Sequence, residues 1–190
     1  IGAILTQVAK EKLSEDYKAS VGYLSKAMTC FEYLSENFLN SPSVDLHADN
    51  TKFLADLTHA EAQELFLLKL INGTDPIKQA SLISKLAYSA VCLYDKCFEF
   101  FKESEDGQVA YGDIKWRSII SCKAHYYKAV SAYYYALFLE QQNKFGAAIA
   151  FLKLSNTFLL SSLPFKMYLK DFIDFQSFKE TLEDKQRQLT

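Results

Sequence analysis

The chain has 190 residues, 49% of them hydrophobic and 15% aromatic, with only 6 glycines and 3 prolines. That length buries a real core without disulfides or metal and is read as one domain, while so few turn-forming residues exclude a sheet protein rich in tight turns and leave an all-α fold. Lysine plus arginine (21) nearly balances aspartate plus glutamate (23), for a formal charge of -2, so there is no electrostatic case for nucleic acid or for an acidic lipid surface as partner.

Residues 1–12, opening on IGAILTQVA without a cap, read as a helix already under way in something longer. Ser14, Glu15 and Asp16 then supply cap-like and acidic first-turn residues for a helix to about Phe38, with the apolar stripe Tyr17, Val21, Leu24, Met28, Phe31 and Leu34. NSPSVDLHADN (40–50) is a loop, after which Asn50 or Thr51 is the expected cap of a helix through Phe53, Leu57, Ala60, Glu64 and Leu68 that ends near INGTDP. Asp75 followed by Pro76 is a helix opening, and helical periodicity runs unbroken over residues 77–101, until ESEDGQVAYGD closes it. A long helix over about 114–143, a turn at 143–145 and a helix to about Ser161 follow. After SSLPF, Phe172, Phe175, Phe178 and Leu182 mark a last amphipathic segment.

The stretch 133–155, YYYALFLEQQNKFGAAIAFLKLS, is written as a helical hairpin. Small side chains at Ala136, Gly146, Ala147, Ala148 and Ala150 suit a close approach of antiparallel helices, and Tyr135, Leu139, Ile149 and Leu152 are expected in the seam. Such hairpins build surfaces that hold other proteins and seldom carry chemistry.

The 77–101 helix has an apolar surface too wide for one neighbour. Ile83, Ala87, Ala90, Tyr94, Cys97 and Phe101 form one stripe; Leu82, Leu86 and Leu93 form a second beside it, which either packs on an adjacent hairpin or lines a groove for another chain. Leu65, Phe66 and Leu67 pose the same question, since consecutive helical residues are about 100° apart and cannot all face one core.

Catalytic motifs are missing: there is no HExxH, CxxC, GxSxG or glycine-rich phosphate loop, and His47, His59 and His125 fall on separate elements. His59 and His125 read as hydrogen-bonded structural residues, and metal binding is not expected. Cys30, Cys92, Cys97 and Cys122 sit in apolar helical patterns, match no zinc or redox spacing and read as small core hydrophobes of a reducing compartment. Tyr126, Tyr127 and Tyr133 to Tyr135 read as hydrophobic filler with their hydroxyls at the edge, EDKQR near the end as solvated helix surface, and no apolar run as long enough to span a membrane.

THAEAQELFLLKL (58–70), SLISKLA (81–87) and EQQNKFGAAIAFLKLS (140–155) resemble the matching helices of the Bro domain family, the Alix-like endosomal scaffolds. FEYLSENFLNSPSVDL (31–46) and SSLPFKMYLKDFIDF (161–175) resemble its fungal members in particular. The resemblance covers the whole chain and implies the central, tetratricopeptide-like part of a single boomerang-shaped domain, residues 1–190, with that domain's opening strands and helices and its closing segment outside the sequence. It further implies a non-enzymatic adaptor without cofactor, cytoplasmic and peripheral on endosomes. Such an adaptor captures the amphipathic C-terminal helix of the main ESCRT-III filament subunit while ubiquitinated cargo is sorted into multivesicular bodies. Carried over from the family, the capture positions are Phe66, Leu82 and Leu86, with Val21, shorter than the bulky aliphatic expected there, on a neighbouring helix. Two readings stay open beside this one: a groove for another peptide, such as a deubiquitinase tail, and a purely structural piece of a larger helical domain.

Overall fold

The computed structural model describes residues 1–13, 15–38, 43, 46–103, 114–164, 169 and 173–189. Among them are seven helices and no strand: α1 (Gly2–Lys12), α2 (Tyr17–Asn37), α3 (Ala48–Ile71), α4 (Ala80–Glu103), α5 (Ile114–Gln141), α6 (Phe145–Ser162) and α7 (Phe175–Leu189). Ser14, the segment 104–113 and Phe172, which the sequence marks as cap, closing loop and apolar anchor, lie outside the described residues. The chain forms two compact units, one of Ile1–Lys69 with Leu93–Arg117 and one of Leu70–Cys92 with Ser118–Thr190.

In the first unit, Asp16 opens α2: its carboxylate accepts from the backbone N–H of Lys18 at 2.8 Å and of Ala19 at 3.2 Å, a cap worth about 1 kcal/mol. Helix α2 buries Ser20, Leu24, Ala27 and Phe31; Leu24 and Phe31 belong to the expected stripe, while its other members Tyr17, Val21, Met28 and Leu34 are half-buried and Ser20 and Ala27 take the inward positions. The Ser20 hydroxyl donates to the Ala9 carbonyl of α1 at 2.7 Å. Gly2 is needed where it is, because a Cβ there would fall 2.8 Å from the Phe31 ring. Helix α3 begins at Ala48, upstream of the expected cap: the Thr51 N–H already bonds the His47 carbonyl, so Asn50 and Thr51 are buried inside the first turns. Phe53 stacks on Phe100 at 4.5 Å and meets Phe101 and Trp116 edge-on at 5.3 and 6.4 Å. Glu64, buried in this core, accepts a hydrogen bond from the Tyr94 hydroxyl of α4, and Lys96 pairs with Asp56 at 2.6 Å.

The second unit holds the start of α4 together with α6, α7 and nearly all of α5. Helix α4 starts at Ala80, later than Asp75 and Pro76 suggest; residues 76–79 form a turn in which the Asp75 carboxylate accepts from the Lys78 N–H at 3.2 Å. Ser84 and Ser131 exchange hydroxyl-to-carbonyl hydrogen bonds, each 2.9 Å, between α4 and α5. The α5–α6 reversal turns on Asn143, whose φ of 58° is left-handed. The Lys144 N–H bonds the Leu139 carbonyl and the Asn143 N–H the Glu140 carbonyl, the paired bonds of a Schellman ending.

Helix α6 buries Ala148, Leu152, Ser155, Leu159 and Ser162, and the Ser155 hydroxyl donates to the Ala129 carbonyl of α5 at 2.7 Å. This seam corrects the hairpin reading. Leu139, Leu152, Ala136 and Ala148 are in it; Tyr135 is exposed and lies edge-on to Phe151, Ile149 is only half-buried, Gly146 would meet nothing with a Cβ, and Ala147 and Ala150 face solvent. By length and composition alone α6 is apolar enough to cross a bilayer, contrary to the sequence expectation; a helix packed into a globular core passes the same test, and α6 packs its seam with α5 and α7 residues.

Helix α7 docks by Phe175, Phe178 and Leu182, with Tyr126 edge-on to both phenylalanines at 5.4 and 5.6 Å and Tyr133 edge-on to Phe178 at 5.5 Å. Lys185, expected among solvated charges, is instead largely covered and bonds Glu140 of α5 at 2.8 Å. Lys185→Gln is expected to cost about 0.5–1 kcal/mol, an effect that shrinks in high salt when followed by denaturant unfolding.

Candidate functional site

On α4 the residues Ile83, Ala87, Ala90, Tyr94, Cys97 and Phe101 are all buried, as their spacing predicts. Leu82 precedes Ile83 by about 100° of helical turn and so falls on the flank of that stripe, 48% exposed; Leu86 and Leu93, four and eleven residues further on, share the flank and are half-buried. An exposed leucine with a half-covered one a turn further on makes a short apolar strip at the edge of the buried stripe. On α3 the three consecutive apolar residues separate in the same way: Leu67 is fully buried, Leu65 half-buried and Phe66 44% exposed. Val21 on α2 is half-buried. Leu82 and Leu86 thus stand one turn apart on a single helix, and Phe66 and Val21 belong to the other compact unit.

Among the described residues no group of three His, Cys, Asp or Glu side chains is arranged as for a metal ion. His59 is exposed, and so is His47, 3.5 Å from Asp49; His125 bonds the Ser121 carbonyl at 2.8 Å as a half-buried residue.

The cysteines divide in a way their apolar surroundings did not signal. Cys97 and Cys122 are buried, Cys30 half-buried and Cys92 exposed, since the five residues from Cys92 to Cys97 turn the helix through about 140°. Burial pushes the Cys97 thiol up to about 12, helped by the nearby Asp56 carboxylate, and burial pushes Cys122 up to about 11, so both stay protonated and unreactive at neutral pH. Titration with a chromogenic disulfide at pH 8 is expected to modify Cys92 fast and Cys30 more slowly, with Cys97 and Cys122 reacting only on unfolding.

Lys85, which the sequence reading passed over, is exposed beside Leu86. It is the only charged residue between Lys78 and Asp95, and that isolation in an apolar run is the signal that marks it.

The seven helices of the described residues, whose α5–α6 hairpin packs α7, define an all-α helical-hairpin domain as the class. The BRO1-like domain family matches residues 1–190, and the chain belongs to it. The vacuolar-sorting protein BRO1 of Saccharomyces cerevisiae is 57% identical over 189 residues, covering 100% of this chain and 22% of its own length. The vacuolar protein-sorting protein BRO1 of Candida glabrata is 56% identical over 189 residues, covering 100% of this chain and 21% of its own. The Bro1 domain solved for its role in endosomal targeting superposes with a TM-score of 0.92 at 56% identity, over 99% of this chain and 51% of that one. The BRO1 domain of ALIX, solved in complex with CHMP4C, gives 0.82 at 22% identity over 99% and 52%, a likeness of fold. The chain therefore spans about a fifth of the curated relatives and about half of the solved domains.

Proposed function

We propose that the chain is the helix-capturing part of a non-enzymatic endosomal sorting adaptor. It is cytoplasmic and peripheral on endosomes, and receives the C-terminal amphipathic helix of the main ESCRT-III filament subunit while ubiquitinated cargo is sorted into multivesicular bodies. The observation that carries the reading is Leu82, 48% exposed beside a fully buried stripe on the same helix. Leu86 is the second contact position on this helix, and Phe66 and Val21 are carried over from the family resemblance as further contact positions. The fungal relatives are named for vacuolar sorting, and the ALIX neighbour was solved with CHMP4C, an ESCRT-III subunit, which supports the choice of partner.

The mechanism is helix-in-groove recognition, in which leucine- and methionine-type anchors at i, i+3, i+4 and i+7 cover the exposed apolar side chains. Each anchor contributes roughly 1.5–3 kcal/mol when fully buried, offset by the ordering of a disordered tail, which places the affinity in the micromolar range. Isothermal titration of the complete protein with the partner's C-terminal helix peptide tests it. Saturable micromolar binding with a negative heat-capacity change supports the reading, and no heat of binding at millimolar peptide sinks it.

A further inference from the structure

Lys85 follows Leu82 by three residues and immediately precedes Leu86, so on the helix its side chain stands beside the apolar strip, about 60° round from Leu82. It is exposed and makes no ion pair among the described residues. The next cation toward the N-terminus, Lys78, is already held by Asp75 at 2.8 Å. No carboxylate follows until Asp95, thirteen residues beyond Leu82 and about 140° away round the helix. The border of the strip at Leu82 and Leu86 is therefore positive, with no acid on α4 within two turns of Lys85.

We propose that Lys85 makes this face selective for an amphipathic helix whose leucine-type stripe is edged by glutamate or aspartate. The inference rests on the docking reading above and specifies its partner's chemistry. When an apolar helix edge closes over Leu82 and Leu86, the Lys85 ammonium loses part of its water; a carboxylate on the visitor restores a partner for it, a neutral residue leaves it uncompensated, and a lysine or arginine is repelled. Its four-carbon stem meanwhile extends the apolar strip, so the position contributes contact and charge together.

The test is titration of the complete protein, wild type and variants, with the C-terminal helix peptide of the ESCRT-III filament subunit, as the natural sequence and with every Glu and Asp replaced by Gln and Asn. At low ionic strength Lys85→Gln is expected to weaken the natural peptide about threefold and Lys85→Glu about tenfold, both differences fading in 0.5 M salt. The amide peptide is expected to bind wild type more weakly and to ignore the charge at position 85. Leu82→Asp separates the two levels of argument. If it abolishes binding while Lys85→Glu leaves affinity and salt dependence unchanged, the charge selectivity is wrong and the docking reading stands; if Leu82→Asp binds like wild type, both fall.

Discussion

Leu82→Asp in the complete protein is expected to weaken capture of the ESCRT-III C-terminal helix by at least about 100-fold, while the thermal midpoint moves by less than about 2 °C. The two halves of that result have one cause. Leu82 is 48% exposed in the free chain, so an aspartate there stays solvated and folding is nearly indifferent to it. In the complex the same position would be covered, and the substitution removes an apolar contact and buries an unpaired carboxylate. Calorimetric titration reads the first half and a circular dichroism melt the second. Lost binding accompanied by a large fall in midpoint would show instead that the side chain belongs to the core.

The largest expected loss of stability comes from α6. Leu152→Ala removes a fully buried side chain from the seam in which Ala148, Leu159 and the α5 residues Ala129, Ala136 and Leu139 meet, and is expected to cost about 2–5 kcal/mol. Leu154→Ala, two residues on along the same helix, starts from a side chain 41% exposed and is expected to stay within about 0.5 kcal/mol of wild type. Urea unfolding of the pair measures the contrast, and equal costs would mean that the seam has been assigned to the wrong face of α6.

That contrast also locates what the sequence leaves open. Helix α4 was legible residue by residue because its apolar positions occupy a bounded arc, which fixes both the pitch and the direction of burial: every member of the predicted stripe, from Ile83 to Phe101, is inside. Helix α6 is apolar almost all round, so the same pitch carries no direction, and Ile149 was placed in a seam that Leu159 and Ser162 occupy. Its partner Tyr135 was misplaced for a related reason, three consecutive tyrosines offering no polar residue to mark the outer face. The start of α3 was read late because several cap-forming residues stand in series before it, and the N–H of Thr51 finds its acceptor at His47. Leu82 and Phe66 were legible as surplus, since apolar neighbours on adjacent positions cannot all turn inward. The division of the cysteines was not, because a thiol suits core and surface alike and only the helix's rotation decides which it meets.

Serine hydroxyls tie helix to helix in both units: Ser20 to Ala9, Ser155 to Ala129, and Ser84 with Ser131 in both directions. Greasy seams alone are slippery, because one leucine-lined notch accepts a side chain much as the next does, whereas a hydroxyl moved one turn, about 5.4 Å, along its neighbour loses its acceptor. These contacts act as detents against axial sliding. The reciprocal pair sits only two residues from Leu82, so the exposed leucine is held at a constant height on its scaffold, and the docking proposed for it would need no rebuilding of the helix at each encounter.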